Sequence, residues 1–197
     1  MLKKVIAVTL ATVAVALSGA TVCGAQQKQG YRKYPSSFMA AGGQLHFGLG
    51  TGDWADSASW GVGLTGFFEG SMDAFVDDLS LRGTVAHFSL DADRTDATET
   101  VLMGSAVYDV GPVYLLGGLG IYRGKFETRV DGPPPFGKTI DTVERDLGIH
   151  LGAGSEFPIS DVLGIRVEGQ LHHIWHPGLA NLTDNLIFAS GGLAYHF

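Results

Sequence analysis

The stretch that decides the fold is the last one, Asn185-Leu-Ile-Phe-Ala-Ser-Gly-Gly-Leu-Ala-Tyr-His-Phe197. Taken at every second position, Ile187, Ala189, Gly191, Leu193, Tyr195 and Phe197 share one face, while Leu186, Phe188, Ser190, Gly192, Ala194 and His196 share the other. A period of two belongs to a β-strand and not to a helix. The apolar face runs out to an aromatic ring at the last position, where water would leave it bare. Acyl chains solvate such a face when the strand closes a barrel in lipid. The end strand of a soluble sandwich alternates in the same way, so the choice rests on the remainder of the chain.

Seven further segments carry strand patterns, at about 38–49, 60–69, 79–90, 99–109, 113–128, 143–157 and 163–175. The seventh alternates most plainly: Leu163, Ile165, Val167, Leu171 and Trp175 on one face, Arg166, Glu168, Gln170 and His172 on the other. The fifth has apolar or small residues on both faces, Leu115, Gly117, Leu119 and Ile121 against Tyr114, Gly118, Gly120 and Tyr122. Beyond residue 25 no apolar run reaches the 18 or so residues of a spanning helix, so any membrane crossing is by strands. Connections 51–59, 91–98, 130–141 and 176–184 read as long and polar, 110–112 and 158–161 as tight, and 70–78 as intermediate. Pro133-Pro134-Pro135 excludes strand from its stretch, since Pro lacks the ladder donor. Long loops at one end, short turns at the other and an even strand count describe a transmembrane barrel.

The first 25 residues stand apart. Lys3 and Lys4 precede an apolar run from Val5 to Leu17, followed by small-residue cleavage candidates ending at Ala20 and Ala25. This is the pattern of a secretory signal peptide. Residues 26–36 read as a periplasmic lead-in and 37–197 as the barrel domain. Cys23 is the single cysteine, and the Val22 before it is a poor residue to precede a lipidated Cys. There is no disulfide framework and no thiolate metal site. Loss of Lys3 and Lys4 takes the net charge from −7 to −9, which argues against nucleic acid as a partner.

A soluble eight-stranded ligand carrier would share the alternation but turn its apolar face inward. It would then place Arg166, Glu168, Asp146, Arg82 and Glu69 outside. The better assignment puts Glu69, Arg82, Asp146, His150, Glu156, Arg166, Glu168 and His172 in the interior. Eight strands enclose just enough space for side chains to fill, so these charges are expected to pair rather than line a pore. Tyr31, Tyr34, Trp60, Tyr108, Tyr122, Trp175 and Tyr195 fall near strand ends, where aromatic belts sit, with Trp60, Tyr108, Trp175 and Tyr195 as the principal members.

The segment Val101-Leu-Met-Gly-Ser-Ala-Val-Tyr-Asp-Val-Gly-Pro-Val-Tyr-Leu-Leu-Gly-Gly-Leu-Gly-Ile-Tyr122, with the closing Gly191-Gly-Leu-Ala-Tyr-His-Phe197, resembles the small outer-membrane β-barrel family, the OmpA-like and opacity-protein group. The resemblance implies an all-β, eight-stranded, antiparallel, up-and-down transmembrane barrel in a bacterial outer membrane. It further implies that Leu193, Tyr195 and Phe197 form the C-terminal signature read by the barrel assembly machinery. The expected surroundings are outer-membrane lipid and lipopolysaccharide, with the chain a monomer.

Candidate chemistry is sparse. In His172-His173-Ile174-Trp175-His176, His172 and His176 share a face about 13 Å apart at 3.3 Å per residue, and His173 points away, so one strand cannot gather them on a metal ion. The stretch His173 to Leu179 loosely resembles a motif of outer-membrane lipid A deacylases. That resemblance makes His173 a general base, but Trp175 stands at the nucleophile position and His176 at the Asn position, and a Trp cannot attack an ester. Ser155 and Ser190 lie on other strands. Asp53, Asp56, Asp91, Asp93, Asp96, Glu99, Asp131, Asp141 and Asp184 read as outer-loop acids able to bridge divalent cations to lipopolysaccharide, or simply as solvated charge. The expectation is a structural or surface-exposed barrel without enzymatic activity, cofactor or metal. The alternatives are a lipid A acyl-ester hydrolase or an inactive relative of one, and a narrow channel or carrier of small apolar molecules.

Overall fold

A computed structural model describes residues 39–52, 59–92, 95–130, 138–176 and 182–197. The expected leader (1–25) and lead-in (26–36) lie outside them. Eight strands follow in order: β1 (Met39–Gly52), β2 (Ser59–Ser71), β3 (Leu79–Ala92), β4 (Thr95–Val110), β5 (Val113–Val130), β6 (Lys138–Pro158), β7 (Leu163–His176) and β8 (Leu182–His196). Each pairs antiparallel with the next, and β8 returns to pair with β1, closing an all-antiparallel eight-stranded barrel.

The turns at the end carrying both β1's start and β8's finish are built locally. Gly111 takes the left-handed conformation (φ 67°) that the tight step from β4 to β5 requires. Asp78 does the same at φ 62°, entering β3, as a short polar residue tolerates. Between β6 and β7 the Ser160 hydroxyl accepts from the Leu163 amide at 3.1 Å.

At the opposite end the strands run further than the polar sequence indicated. The β3–β4 ladder continues to Ala92↔Thr95, where a loop over 91–98 was expected. The β5–β6 ladder continues to Val130↔Lys138, leaving only 131–137 of the expected 130–141 connection. Thr95, Thr98 and Thr100, and likewise Thr139, Ile140, Thr142 and Val143, are β-branched, and that preference outweighs the interspersed charges.

The register fixes the barrel's shape. One ladder passes Ala41↔Phe68↔Gly83↔Gly104↔Leu119↔Ile149↔His173↔Asn185 and re-enters β1 at Thr51, ten positions above its start. The strands must therefore tilt, by about 35–45° for barrels of this kind. Following the climb around the wall brings Trp60 and Trp175 to one level, and Tyr108 and Tyr195 to a second. The levels are about ten residue steps apart, roughly 25 Å at 3.3 Å per residue and that tilt, which is the height of a lipid-facing band. All four rings are exposed on the outer face. Between them the wall is apolar, with Leu45 and Leu119 both 68% exposed.

The inner face is packed instead. Phe88 and Phe188 stack at 4.5 Å in the half towards the long connections, with Val101, Met103, Tyr122, Ile174 and Leu186 against them. Val107, Tyr114 and Leu116 pack in the other half. Inward glycines make room for these rings. A Cβ on Gly154 would lie 2.5 Å from the Tyr114 hydroxyl, and one on Gly148 would lie 2.7 Å from the Tyr122 ring.

Gly154→Ala should therefore destabilise the barrel by about 1–3 kcal/mol, as overpacking does. Gly66→Ala, where nothing lies within 4 Å of the added methyl, should change stability by less than about 0.5 kcal/mol. Urea unfolding in phospholipid vesicles, followed by tryptophan fluorescence, measures both.

Candidate functional site

The polar inner face condenses into a connected group of charges in the half nearest the short turns. Arg82 of β3 donates to Glu69 of β2 (Nε to Oε2, 2.8 Å) and to Glu168 of β7 (Nη1 to Oε1, 2.6 Å). Arg166 of β7 donates to the same Glu69 oxygen at 2.8 Å and to Glu156 of β6 at 2.5 Å. His196 of β8 meets the other Glu156 oxygen at 2.7 Å. Tyr114 of β5 donates to Glu168 at 2.5 Å, and Gln170 donates to its second oxygen at 2.8 Å.

The guanidinium of Arg82 lies 5.1 Å from the Phe67 ring and 5.3 Å from Tyr114; that of Arg166 lies 4.7 Å and 5.6 Å from the same rings. Ring faces and carboxylates thus surround both cations. Glu168 is 1% exposed, Arg166 3% and Arg82 4%. At such burial, attraction offsets desolvation only while every partner is present. Six strands are tied together: β2, β3, β5, β6, β7 and β8.

A layer of imidazoles lies next to the ionic group, at mid-wall. His172 Nδ1 bonds the Tyr122 hydroxyl at 2.9 Å and its Nε2 bonds Gln170 Oε1 at 2.9 Å. His150 Nε2 shares a 2.8 Å bond with Ser105 Oγ. His46 sits edge-on to Phe88 and Phe188. Charges, imidazoles and stacked rings thus succeed one another along the axis.

Of the residues assigned to the interior from sequence, Glu69, Arg82, Glu156, Arg166 and Glu168 come together in the ionic group. His150 and His172 lie in the imidazole layer. Asp146 is buried on the same inner face at the far end and does not join them. Trp60, Tyr108, Trp175 and Tyr195 lie on the outer face, as do Leu193 and Phe197.

Two placements need correction. Tyr122, expected near the belt, is fully buried, because it shares the inward parity of Tyr114 on a strand that is apolar on both faces. Glu99, read as an outer-loop acid, sits on β4 at 5% exposure inside the lumen. The other loop acids either fall outside the described residues or have undescribed side chains. His196, Tyr114 and Gln170 belong to the core of the network without having been singled out. Their signal was their place on the same alternating face as residues that were.

The histidine run separates as its spacing implies. His172 points inward with both nitrogens engaged, while His173 points outward and bonds Asn185 Oδ1 at 2.8 Å through Nδ1. The side chain of His176 lies outside the described set. No group of three His, Cys, Asp or Glu among the described residues is placed to hold a metal ion. His173 stacks edge-on against Trp175 at 5.0 Å. Ser190 is on the inner face, in register with Glu168 and His46, so the sheet itself separates it from His173.

No protein-family model matches this chain, and no curated protein matches it. Among solved structures, Neisserial surface protein A is similar at 13% identity and a TM-score of 0.53, over 82% of this chain and 98% of that one. The attachment invasion locus protein Ail of Yersinia pestis aligns at 15% identity and TM-score 0.47, over 80% and 97%. The N-terminal β-barrel domain of Pseudomonas aeruginosa OprF aligns at 9% identity and TM-score 0.40, over 82% and 98%. At this identity the first of these likenesses establishes the fold, that of small outer-membrane barrels, and nothing beyond it.

Arg82→Met removes the guanidinium at 2.6 Å from Glu168 and leaves Glu69 with Arg166 alone, and should lower stability by about 3–5 kcal/mol. Replacing Arg82 and Glu168 together with apolar residues should recover part of that loss. A double-mutant cycle in urea measures the coupling.

Proposed function

We propose that this chain is a non-enzymatic integral protein of a bacterial outer membrane, a sealed barrel that presents its longer connections at the cell surface. The observation that carries this reading is the inverted polarity of the wall. Charge is buried and paired inside, while Leu, Val and Ile side chains are bare outside between two aromatic levels about 25 Å apart. Only lipid makes that arrangement favourable.

The compartment follows from the same physics joined to the signal-like leader of residues 1–25, removed on export. Leu193, Tyr195 and Phe197 offer an apolar, outward edge to the assembly machinery, and outer-membrane lipid with lipopolysaccharide solvates the wall. Acyl-ester hydrolysis is disfavoured because the side chains described against His173 are Asn185 and Trp175, neither of which carries a nucleophilic hydroxyl. Transport through the lumen is disfavoured by the successive filled layers.

In planar bilayers the inserted protein should give no steady open conductance at about 100 mV; a stable open level would overturn the sealed barrel. Lipid A mass spectra from cells with and without the protein should show the same acylation, and loss of an acyl chain would revive the hydrolase.

A further inference from the structure

The outer wall is not uniformly apolar. Arg123 of β5 and Arg145 of β6 are direct cross-strand partners, both exposed on the outer face. Lys125 follows on the same face of β5. On the other side Arg123 opposes Thr100, which bonds His87 at 3.0 Å. Following the climb of the ladders, Arg123 and Arg145 come level with Trp60 and Trp175, at the edge of the apolar band nearest the long connections.

Like charges set directly opposite on a sheet repel. Neither guanidinium has a hydrogen-bonding or ion-pairing partner among the residues whose side chains are described. Glu144, next to Arg145, alternates to the inner face. The nearest acidic row on these strands, Asp96↔Glu127↔Asp141, begins four residues further out, about 13 Å along each strand. On β4, β5 and β6, then, no acidic residue shares the pair's face at its own level, where the head groups of the outer leaflet lie.

We infer that Arg123 and Arg145, with Lys125 above them, bind a phosphate monoester on a phosphorylated glycolipid of the outer leaflet. This rests on the outer-membrane reading above. Two planar forks converging from neighbouring strands suit the oxygens of one phosphate. A monoester approaches two negative charges and balances both guanidinium groups, whereas the diester of an ordinary phospholipid carries one. Thr100 and His87 extend the polar strip down the wall, beside the sugar and the first acyl linkages of such a lipid.

The full chain, inserted in phosphatidylcholine nanodiscs, can be titrated with diphosphoryl lipid A and with phosphatidylglycerol. The expected result is a preference of at least about tenfold for diphosphoryl lipid A, lost in Arg123→Gln/Arg145→Gln. Arg145→Gln alone should lose most of it and serves if the double variant inserts poorly. Equal binding by wild type and variant, or equal binding of the two lipids, overturns the inference. Insertion is scored first by the gel shift of heated against unheated samples. A barrel that inserts without discriminating counts against this site alone, and a chain that never inserts counts against the membrane reading together with the site.

Discussion

Everything in this molecule depends on the pairing of β8 with β1. Thirteen register pairs, from Ala40↔His196 to Gly52↔Asp184, join the two ends of the sheet. Once that ladder closes, every strand has a neighbour on both sides, and over the span the eight strands share, backbone donors and acceptors find partners in the wall. Closure at eight strands with a ten-residue stagger then sets an interior that side chains can fill. It leaves a single sheet with no second layer to cover its outer face. The outside must find its apolar solvent elsewhere, and the inside must satisfy whatever polarity it receives.

The ionic group answers the second demand. Three carboxylates, Glu69, Glu156 and Glu168, face two guanidinium groups, Arg82 and Arg166, and His196 reaches them from the closing strand. Its value for stability is not that of its ion pairs summed, since desolvation cancels much of the attraction. The group instead specifies arrangement. A one-residue slip in register would turn these side chains onto the lipid face and the leucines into the lumen. The terminal strand takes part twice: Tyr195 and Phe197 face outward, while His196 between them holds Glu156.

Much of this was legible in the sequence because a strand's period is two and the polarity of β7 alternates from Ile165 to His172. Leu163 to Trp175 alone separates the two faces, and the same parity places Glu69, Arg82 and Glu156 inside. Tyr122 was harder to place, because β5 carries apolar or small residues on both faces and a tyrosine near a strand end suits a belt as well as a core. Glu99 opens the expected fourth strand beside the charged 91–98 stretch and so reads as an outer acid, whereas the ladder runs on to Thr95 and leaves Glu99 on the inward parity of Val101 and Met103. The convergence of Arg82 with Glu168, 86 residues apart, required the register of the whole barrel. The outward pairing of Arg123 with Arg145 is likewise a fact about two strands and is visible in neither one.

The membrane barrel is tested most directly by separating the membranes of expressing cells and running the protein on a gel before and after heating. A closed barrel solvated by lipid is recovered with the outer membrane and shifts in mobility on heating, as the wall unfolds. Recovery in the soluble periplasm, with one mobility regardless of heating, would contradict it.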